Sequence, residues 1–335
     1  MYKAIIIGCG KIAGIYDKDL NAAPYSHAHA YFKNPHIDVV CYVNRTIKKA
    51  KELAKKYNSD NYSDNYLDSI NRNLPHVVSI CTPDNTHFDI IKSILDNSFV
   101  PEIIFVEKPV CSSQSELNYL ETISNQKNVQ IIVNHSRRFD EKHQNIKKII
   151  KKNVLGKLLR GDIFYYGGWN HNGVHVVDTL RFLFEDEIDV VSITDYIPTG
   201  YNNDPTLELI LFLKSQKAKV CLNAFDERYY QIFDMDFKFE NARLRIEDFG
   251  SRIQLEKKQI NFMNENVLAA SDLNIKNSAS TPIENAVDCI VNFLQTKNKN
   301  ILSDCSLEDT KKTMQILWEV EDEFKRKTYK QKPGN

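Results

Sequence analysis

The chain has 335 residues, 42% hydrophobic and 26% charged, and its 44 basic and 44 acidic side chains give a formal net charge of zero. This balance argues against a nucleic-acid-binding protein, because phosphate contacts need a basic excess. Domains of about 100–200 residues are typical, so the length predicts two domains, and no apolar run reaches the roughly 18–20 residues of a membrane span.

The first part of the chain alternates short apolar strands with helices. The spacing of these segments predicts βαβ units and a doubly wound parallel sheet, an α/β fold. Strands are predicted at 3–7, 37–43, 76–82, 102–108 and 129–135, and helices within 11–33 and at 46–57, 87–97 and 112–126.

The pattern changes after residue 150, where several strands alternate apolar with polar residues. Such alternation is typical of a sheet with one solvated face, so we expect an α+β domain built on an antiparallel sheet. Strands are predicted at 157–168, 189–197, 206–214, 217–225, 233–241, 242–248 and 252–258, and helices at 174–186, 282–297 and 306–327.

A glycine-rich motif, Gly8-Cys9-Gly10-Lys11-Ile12-Ala13, follows the first strand and precedes a predicted helix. In such a motif the first glycine permits a tight turn and the second lets the backbone approach a pyrophosphate. The third small residue, here Ala13, lets the helix pack on the strand. The pyrophosphate would then meet the helix N-terminus, so the motif predicts dinucleotide binding through Gly8, Gly10, Lys11 and Ile12.

The end of the second strand bears on which dinucleotide is bound. NAD-binding proteins usually carry Asp or Glu there for the ribose hydroxyls, whereas this chain has Asn44-Arg45. No carboxylate would repel a 2′-phosphate, and Arg45 could pair with one. We therefore expect NAD(P) with a preference for NADP; the alternative is that Arg45 stacks on adenine or is solvated, with NAD bound.

Polar clusters follow the other predicted strands, at 82–87, 107–109 and 134–140. Ligands of such sheets bind outside the carboxyl ends of the strands, so these clusters are expected at one ligand-binding edge. Within the last cluster, Arg137-Arg138 could pair with a substrate anion or form a structural ion pair with Asp140 or Glu141. A further glycine-rich stretch, 167–178, leads into a helix.

With these motifs the chain resembles the Gfo/Idh/MocA family, relatives of glucose–fructose oxidoreductase and inositol dehydrogenase, over nearly its whole length. The resemblance rests on GxGxxA at 8–13, TPxxxH at 82–87, EKP at 107–109 and GxHxxD at 173–178. It implies a Rossmann domain at 1–122 and a large open, mostly antiparallel sheet in an α+β domain at 123–335, with the C-terminal helices able to pack back on the first domain. It also implies a homodimer or homotetramer formed through that sheet.

The resemblance implies hydride transfer between nicotinamide and a sugar, sugar phosphate, nucleotide sugar or cyclitol, with Lys108 and His175 as catalytic residues. The family usually has an acid four residues before the histidine, where this chain has His171, and this departure puts the family's proton relay in doubt. Cofactor contacts are expected from Thr82, Pro83, Asn85, His87, Glu107, Lys108, Asn134, Asn44 and Arg45. Substrate contacts are expected from Arg137, Trp169, Asn170, His171, Asn172 and Asp178.

An imidazole titrates near neutral pH, roughly 6.5, so His175 suits the proton transfer that accompanies hydride transfer. Lys108 would polarise the substrate oxygen, Glu107 would position the nicotinamide ribose, and Pro109 could hold a strained or cis turn that aims Lys108. Trp169 and the neighbouring tyrosines suit a sugar ring but equally suit sheet packing.

Other patterns carry less information. No metal is expected, since no glutamate stands between His171 and His175 as in HExxH, and His27 and His29 are predicted to be solvated or capping histidines. The seven scattered cysteines predict free buried thiols rather than disulfides. The start of the chain lacks a signal-peptide pattern, so we expect a cytoplasmic protein.

Two other functions remain open at this stage. One is a glycosidase of the same family that retains NAD and uses transient oxidation, and the other is a redox-silent dinucleotide sensor. The Asn-His-Asn-Gly stretch at 170–173 resembles members linked to bacterial surface-polysaccharide and amino-sugar synthesis.

Overall fold

A computed structural model describes residues 1–200, 204–271, 275 and 279–330, with side chains described to residue 328. The chain divides into two compact units. Unit 1 comprises Met1–Glu141 and Ser278–Lys311, and unit 2 comprises Lys142–Asn277 and Lys312–Asn335. This division differs from the predicted boundary at residue 122, because the sixth strand of the first sheet lies beyond that point.

Unit 1 contains a six-stranded parallel sheet in the order β3-β2-β1-β4-β5-β6. This is the doubly wound order of dinucleotide-binding folds, with its switch point where β1 lies between β2 and β4. The predicted α/β fold is therefore confirmed. The strands are β1 Tyr2–Ile7, β2 Ile37–Val43, β3 Tyr62–Ser63, β4 Val77–Ile80, β5 Ile103–Val106 and β6 Gln130–Val133.

Unit 2 contains an eight-stranded sheet in the order β14-β13-β12-β11-β7-β10-β9-β8. It is mostly antiparallel, as expected, although β7 and β10 pair in parallel. The strands are β7 Leu158–Tyr165, β8 Ile188–Ile197, β9 Thr206–Leu213, β10 Ala218–Ala224, β11 Asp234–Phe239, β12 Ala242–Glu247, β13 Arg252–Ile260 and β14 Asn266–Ala270. Strand β14 was not predicted from the sequence.

Ten α-helices accompany the sheets within the described part of the chain. They are α1 His27–Lys33, α2 Ile47–Lys56, α3 Tyr66–Asn73, α4 His87–Asp96, α5 Gln114–Lys127, α6 Ser136–Phe139, α7 Glu141–Lys151, α8 Val174–Phe184, α9 Pro282–Thr296 and α10 Leu307–Lys330. Helix α9 begins with a capping box in which Thr281 and Glu284 satisfy each other's backbone amides. None of the described helices combines the length and apolarity needed to cross a membrane.

The helical stretch predicted within 11–33 is present as two pieces, a π-helical turn at Lys11–Ile15 and the separate helix α1. Gly14 leaves the helical region with φ 173°. A Cβ on Gly14 would lie 2.6 Å from Leu53 Cδ1, so glycine lets this backbone pack against α2. The Lys56 ammonium, on α2, donates to the Gly14 carbonyl at 2.6 Å.

Candidate active site

The first glycine of the N-terminal motif is required by close packing between strands. Gly8 has φ +93°, and a Cβ there would lie 2.6 Å from the Cys81 carbonyl oxygen at the end of β4. Gly10 differs, because no atom lies within 4 Å of its Cβ position. The backbone at Gly10 is thus open to a ligand, beside a helical turn whose first amides have no partner within the turn.

This geometry fits the pyrophosphate of a dinucleotide, which the fold implies. The fit rests on backbone amides rather than on a long helix, since the turn at Lys11–Ile15 is only five residues long. The helix N-terminus expected beside the motif is thus a single turn, and its contact with the pyrophosphate stays a prediction.

The end of β2 anchors the glycine motif. Asn44 Oδ1 accepts from the Cys9 amide at 3.2 Å, and Asn44 Nδ2 donates to the Thr46 carbonyl at 3.1 Å. The Asn44 side chain is therefore engaged by the protein itself. Arg45 beside it is exposed and makes no hydrogen bond or ion pair with any residue that the structure describes, so its guanidinium can meet a ligand phosphate.

His87 joins the TPxxxH segment to the EKP segment. Its Nε2 lies 2.9 Å from the Thr82 carbonyl oxygen, and its Nδ1 lies 2.7 Å from the Pro109 carbonyl oxygen. His87 is 1% exposed, so it is a buried link between these two segments. The Lys108–Pro109 peptide bond is cis, which is one of the two arrangements considered for Pro109.

Glu107, at the end of β5, is the centre of a buried hydrogen-bond network. Its Oε1 lies 2.9 Å from His27 Nε2 and accepts from Asn134 Nδ2 at 2.7 Å. Burial disfavours the carboxylate, but these two hydrogen bonds and the charges of His27 and Lys108 outweigh it and hold the pKa of Glu107 below its usual range.

The hydrogen-bond network of Glu107 extends further into the interior of unit 1 through Ser79 and Tyr31. His27 Nδ1 lies 3.3 Å from Ser79 Oγ, and the Tyr31 hydroxyl lies 2.7 Å from the same oxygen. Burial raises the pKa of Tyr31, although the bond to Ser79 opposes this. The chain from Tyr31 to Asn134 thus fixes the Glu107 carboxylate at the carboxyl ends of β4, β5 and β6.

The prediction that His27 and His29 are solvated or capping is wrong, since both are fully buried. His29 Nε2 lies 3.0 Å from the Leu20 carbonyl oxygen, and its Nδ1 lies 3.3 Å from Asp17 Oδ1. Each histidine therefore packs against a carboxylate of unit 1. A signal was available, because the segment His27-Ala28-His29-Ala30-Tyr31 lacks the charged face of a surface helix.

Arg138 has a structural role in unit 1. Its guanidinium forms an ion pair with Asp309 at 2.6 Å and donates to the Asp304 carbonyl at 2.6 Å; the ion pair considered with Asp140 or Glu141 stays a prediction. Arg137 is half-buried, and its assignment to the substrate stays a prediction.

In unit 2 the glycine-rich stretch forms a second π-helical turn, Trp169–Gly173, which leads directly into α8. His175 lies in the first turn of α8 and is half-buried, with its ring edge-on to Phe233 at 6.5 Å between centroids. The turn is preceded by Gly167 and Gly168, whose φ values of +74° and +95° favour glycine.

Two predicted substrate residues of unit 2 are engaged inside the fold. Trp169 is 1% exposed and donates from Nε1 to the Leu317 carbonyl at 3.0 Å. Asp178 is 2% exposed and accepts from the Thr313 hydroxyl of α10 at 3.1 Å. These contacts fit structural roles, and the assignment of both residues to the substrate stays a prediction. Asn170, His171 and Asn172 are partly or fully exposed on the same turn.

Asp204 is a residue that the sequence analysis missed. Its carboxylate accepts from the amides of Asn170 at 2.8 Å and His171 at 2.9 Å. Burial raises the pKa of Asp204, although these amides oppose the rise. No local pattern in the segment 198–205 marks this residue, because its partners lie more than thirty positions earlier.

The described residues contain no group of three or more His, Cys, Asp or Glu side chains that could hold a metal ion. All seven cysteines are free; Cys221 and Cys289 are partly exposed and the others buried.

The N-terminal part of the chain is similar to a known protein family. Residues 2–135 match the model of the Gfo/Idh/MocA family, described as an oxidoreductase family with an NAD-binding Rossmann fold. Oxidoreductase P35 from Formosa agariphila is 26% identical over 158 residues, which cover 47% of this chain and 45% of that protein. The chain spans about half the length of the curated relatives it matches.

Solved structures share the fold over nearly the whole chain. An oxidoreductase from Agrobacterium radiobacter, in complex with NAD+, L-tartaric acid and magnesium, is 15% identical with a TM-score of 0.67 and 94% of each chain covered. The 3-ketoreductase KijD10 from Actinomadura kijaniata, as a variant with TDP-benzene and NADP, is 12% identical with a TM-score of 0.74, covering 94% of this chain and 95% of that one. The predicted fold is confirmed, and the match to the predicted family covers residues 2–135.

Proposed function

We propose that this chain, whose N-terminal domain belongs to the Gfo/Idh/MocA oxidoreductase family, is an NAD(P)-dependent dehydrogenase or reductase. It would transfer a hydride between nicotinamide and a carbinol or keto carbon of a sugar, sugar phosphate, nucleotide sugar or cyclitol. The observation that carries the proposal is the glycine turn at the switch point of the sheet, where Gly10 leaves the backbone open.

A bound nicotinamide supplies the hydride acceptor or donor, and the protein's side chains must handle the proton. His175 takes the hydroxyl proton during oxidation and returns it during reduction. Lys108, which follows the fixed carboxylate of Glu107, polarises the substrate oxygen. Glu107 and Asn134 orient the nicotinamide end, and Thr82, Pro83, Asn85 and the backbone at Lys11 and Ile12 line the rest of the nucleotide path.

We favour NADP over NAD. The Asn44 amide is used by the protein, no carboxylate stands at that position, and the exposed Arg45 can pair with a 2′-phosphate. Structural neighbours hold NAD+ in one case and NADP in another, so this preference depends on the residues of this chain alone.

For the substrate we propose a chemical class rather than a single compound. KijD10 is a 3-ketoreductase seen with TDP-benzene, which favours a nucleotide sugar as in surface-polysaccharide or amino-sugar synthesis. We further propose a cytoplasmic homodimer or homotetramer formed through the eight-stranded sheet, with a small-molecule substrate and neither nucleic-acid nor membrane partners.

The first experiment is to denature the purified protein and identify any released nucleotide by chromatography and by absorbance of the reduced nicotinamide. We expect either no retained nucleotide or NADP(H), with the emptied protein binding NADPH more tightly than NADH. Tightly retained NAD(H) would favour the NAD-retaining glycosidase instead. A protein that binds nucleotide but shows no redox exchange with any sugar would favour the dinucleotide sensor.

A further inference from the structure

The turn before α8 is held by one short segment of unit 2. Residues 204–206 accept hydrogen bonds from consecutive backbone amides of residues 168–171, so this run of amides is satisfied by the protein. The Gly168 amide donates to Thr206 Oγ1 at 2.9 Å, the Trp169 amide to the Pro205 carbonyl at 2.9 Å, and the Asn170 and His171 amides to Asp204 Oδ1 and Oδ2 at 2.8 and 2.9 Å.

The glycine at position 168 leaves room for the Asp204 carboxylate. A Cβ on Gly168 would overlap this carboxylate, so only glycine fits beside it. Thr206 is fully buried and begins β9, which is hydrogen-bonded on both sides, to β8 and β10. The carboxylate is therefore carried two residues before a strand that is paired on both sides.

The other side of the turn is fixed by Trp169. Its indole donates to the Leu317 carbonyl, and a Cβ on Gly173 would lie 2.5 Å from the indole ring. The turn is thus held at Asp204 and at Trp169, and α8 with His175 starts directly after it. A small displacement of such a turn moves a side chain in the next turn by a similar amount, which is costly where reacting atoms must align.

We propose that Asp204 is a positioning residue for His175, and that it closes this turn to anionic groups. Since its two carboxylate oxygens accept from the amides of Asn170 and His171, a substrate phosphate or carboxylate would find these two amides occupied and would meet the negative charge of Asp204. The part of the substrate held at this turn is therefore an uncharged, hydroxyl-bearing group. The inference rests on the role proposed for His175 in the oxidoreductase reaction.

The test uses the full chain labelled with ¹³Cε1-histidine, with the His175 resonance assigned through His175→Gln. In Asp204→Ala we expect the His175 resonance to shift, and sodium formate at constant ionic strength to restore it by supplying a carboxylate to the freed amides. Asp195→Asn is the matched control, because Asp195 also accepts a backbone amide, at 2.8 Å, but on exposed β8. It should leave the resonance unchanged.

In the wild-type protein neither formate nor inorganic phosphate should move the His175 resonance. An unmoved resonance in folded Asp204→Ala would overturn the positioning role, and a wild-type response to phosphate that Asp204→Ala lacks would overturn the exclusion of anions. If Asp204→Ala does not fold, Asp204→Asn answers the first question, because it replaces one of the two acceptor oxygens with an NH2 group that cannot accept.

Kinetics separate this inference from the proposed function. We expect kcat to fall about tenfold or more in Asp204→Ala, with KM for the nicotinamide nucleotide unchanged and formate restoring part of kcat. A shifted His175 resonance with unchanged kcat would refute the catalytic role of His175 while supporting the positioning by Asp204.

Discussion

The imidazole of His27 lies against the carboxylate of Glu107, with 2.9 Å between Nε2 and Oε1. His27 is fully buried and comes from α1, whereas Glu107 ends β5 next to Lys108. This pair connects the interior of unit 1 with the strand edge where the nicotinamide is proposed to bind, so changes at His27 should be detected at the nucleotide.

Replacing His27 with glutamine should destabilise the protein and weaken nucleotide binding. The glutamine side chain cannot bridge Glu107 and Ser79 as the ring does, and a buried group left without its partner costs about 1–3 kcal/mol. Urea unfolding and NADPH titration would measure both effects. His36→Gln, at an exposed histidine of the same unit, should change neither, and equal effects from the two substitutions would contradict the network.

The same network predicts a pH dependence of stability. The pKa of Glu107 is held below the usual value of 4.5, so its contribution to stability is present above that value and is lost as the pH falls through the lower pKa of the folded state. Glu107→Gln removes this titration. Urea midpoints measured from about pH 6 downward should fall more steeply in the wild type than in the variant; parallel curves would show that Glu107 does not contribute.

The two glycines of the first turn should respond differently to alanine. Gly8→Ala places a Cβ 2.6 Å from the Cys81 carbonyl at φ +93°, so we expect a loss of about 1–3 kcal/mol from backbone strain alone. Gly10→Ala has open space and φ −91°, so the fold should tolerate it while the methyl group blocks the pyrophosphate. Calorimetry and nucleotide titration distinguish these outcomes; a Gly10→Ala protein that binds NADPH normally would place the pyrophosphate elsewhere.

Arg45 should decide the choice of nucleotide. Arg45→Ala removes a charge-assisted contact worth about 1.5–3 kcal/mol, so the affinity for NADPH should fall about tenfold or more while that for NADH changes little. Lys55→Ala removes a cation from an exposed position of the neighbouring helix α2 and controls for general electrostatics. Equal losses for both nucleotides would mean that Arg45 stacks on the adenine instead.

Lys108→Ala and His175→Ala should each abolish turnover while nucleotide binding survives, since both residues are proposed to act on the substrate oxygen and its proton. Stopped-flow measurement of nicotinamide absorbance, with fluorescence titration for binding, would check this. Rates that remain unchanged in both variants would remove the catalytic assignment and favour the sensor.

The amino-acid sequence by itself determined the alternation of strands and helices and the glycine turn, and it indicated the family whose model matches residues 2–135. These features are local, because apolar periodicity and glycine spacing follow from the pleat, the helical repeat and backbone sterics. Residues such as Gly8, Asn44 and Lys108 were therefore found at the strand ends where the pattern placed them.

The tertiary structure decided which side chains meet across the chain. His27 contacts Glu107, which is 80 residues away in the sequence, and Asp204 contacts the His171 amide, which is 33 residues away. Neither contact can be recognised from the periodicity of the sequence. The break at Gly14 and the burial of Trp169 and Asp178 likewise follow from packing against α2, Leu317 and Thr313. Burial and long-range hydrogen bonding depend on chain topology, which local propensity does not encode.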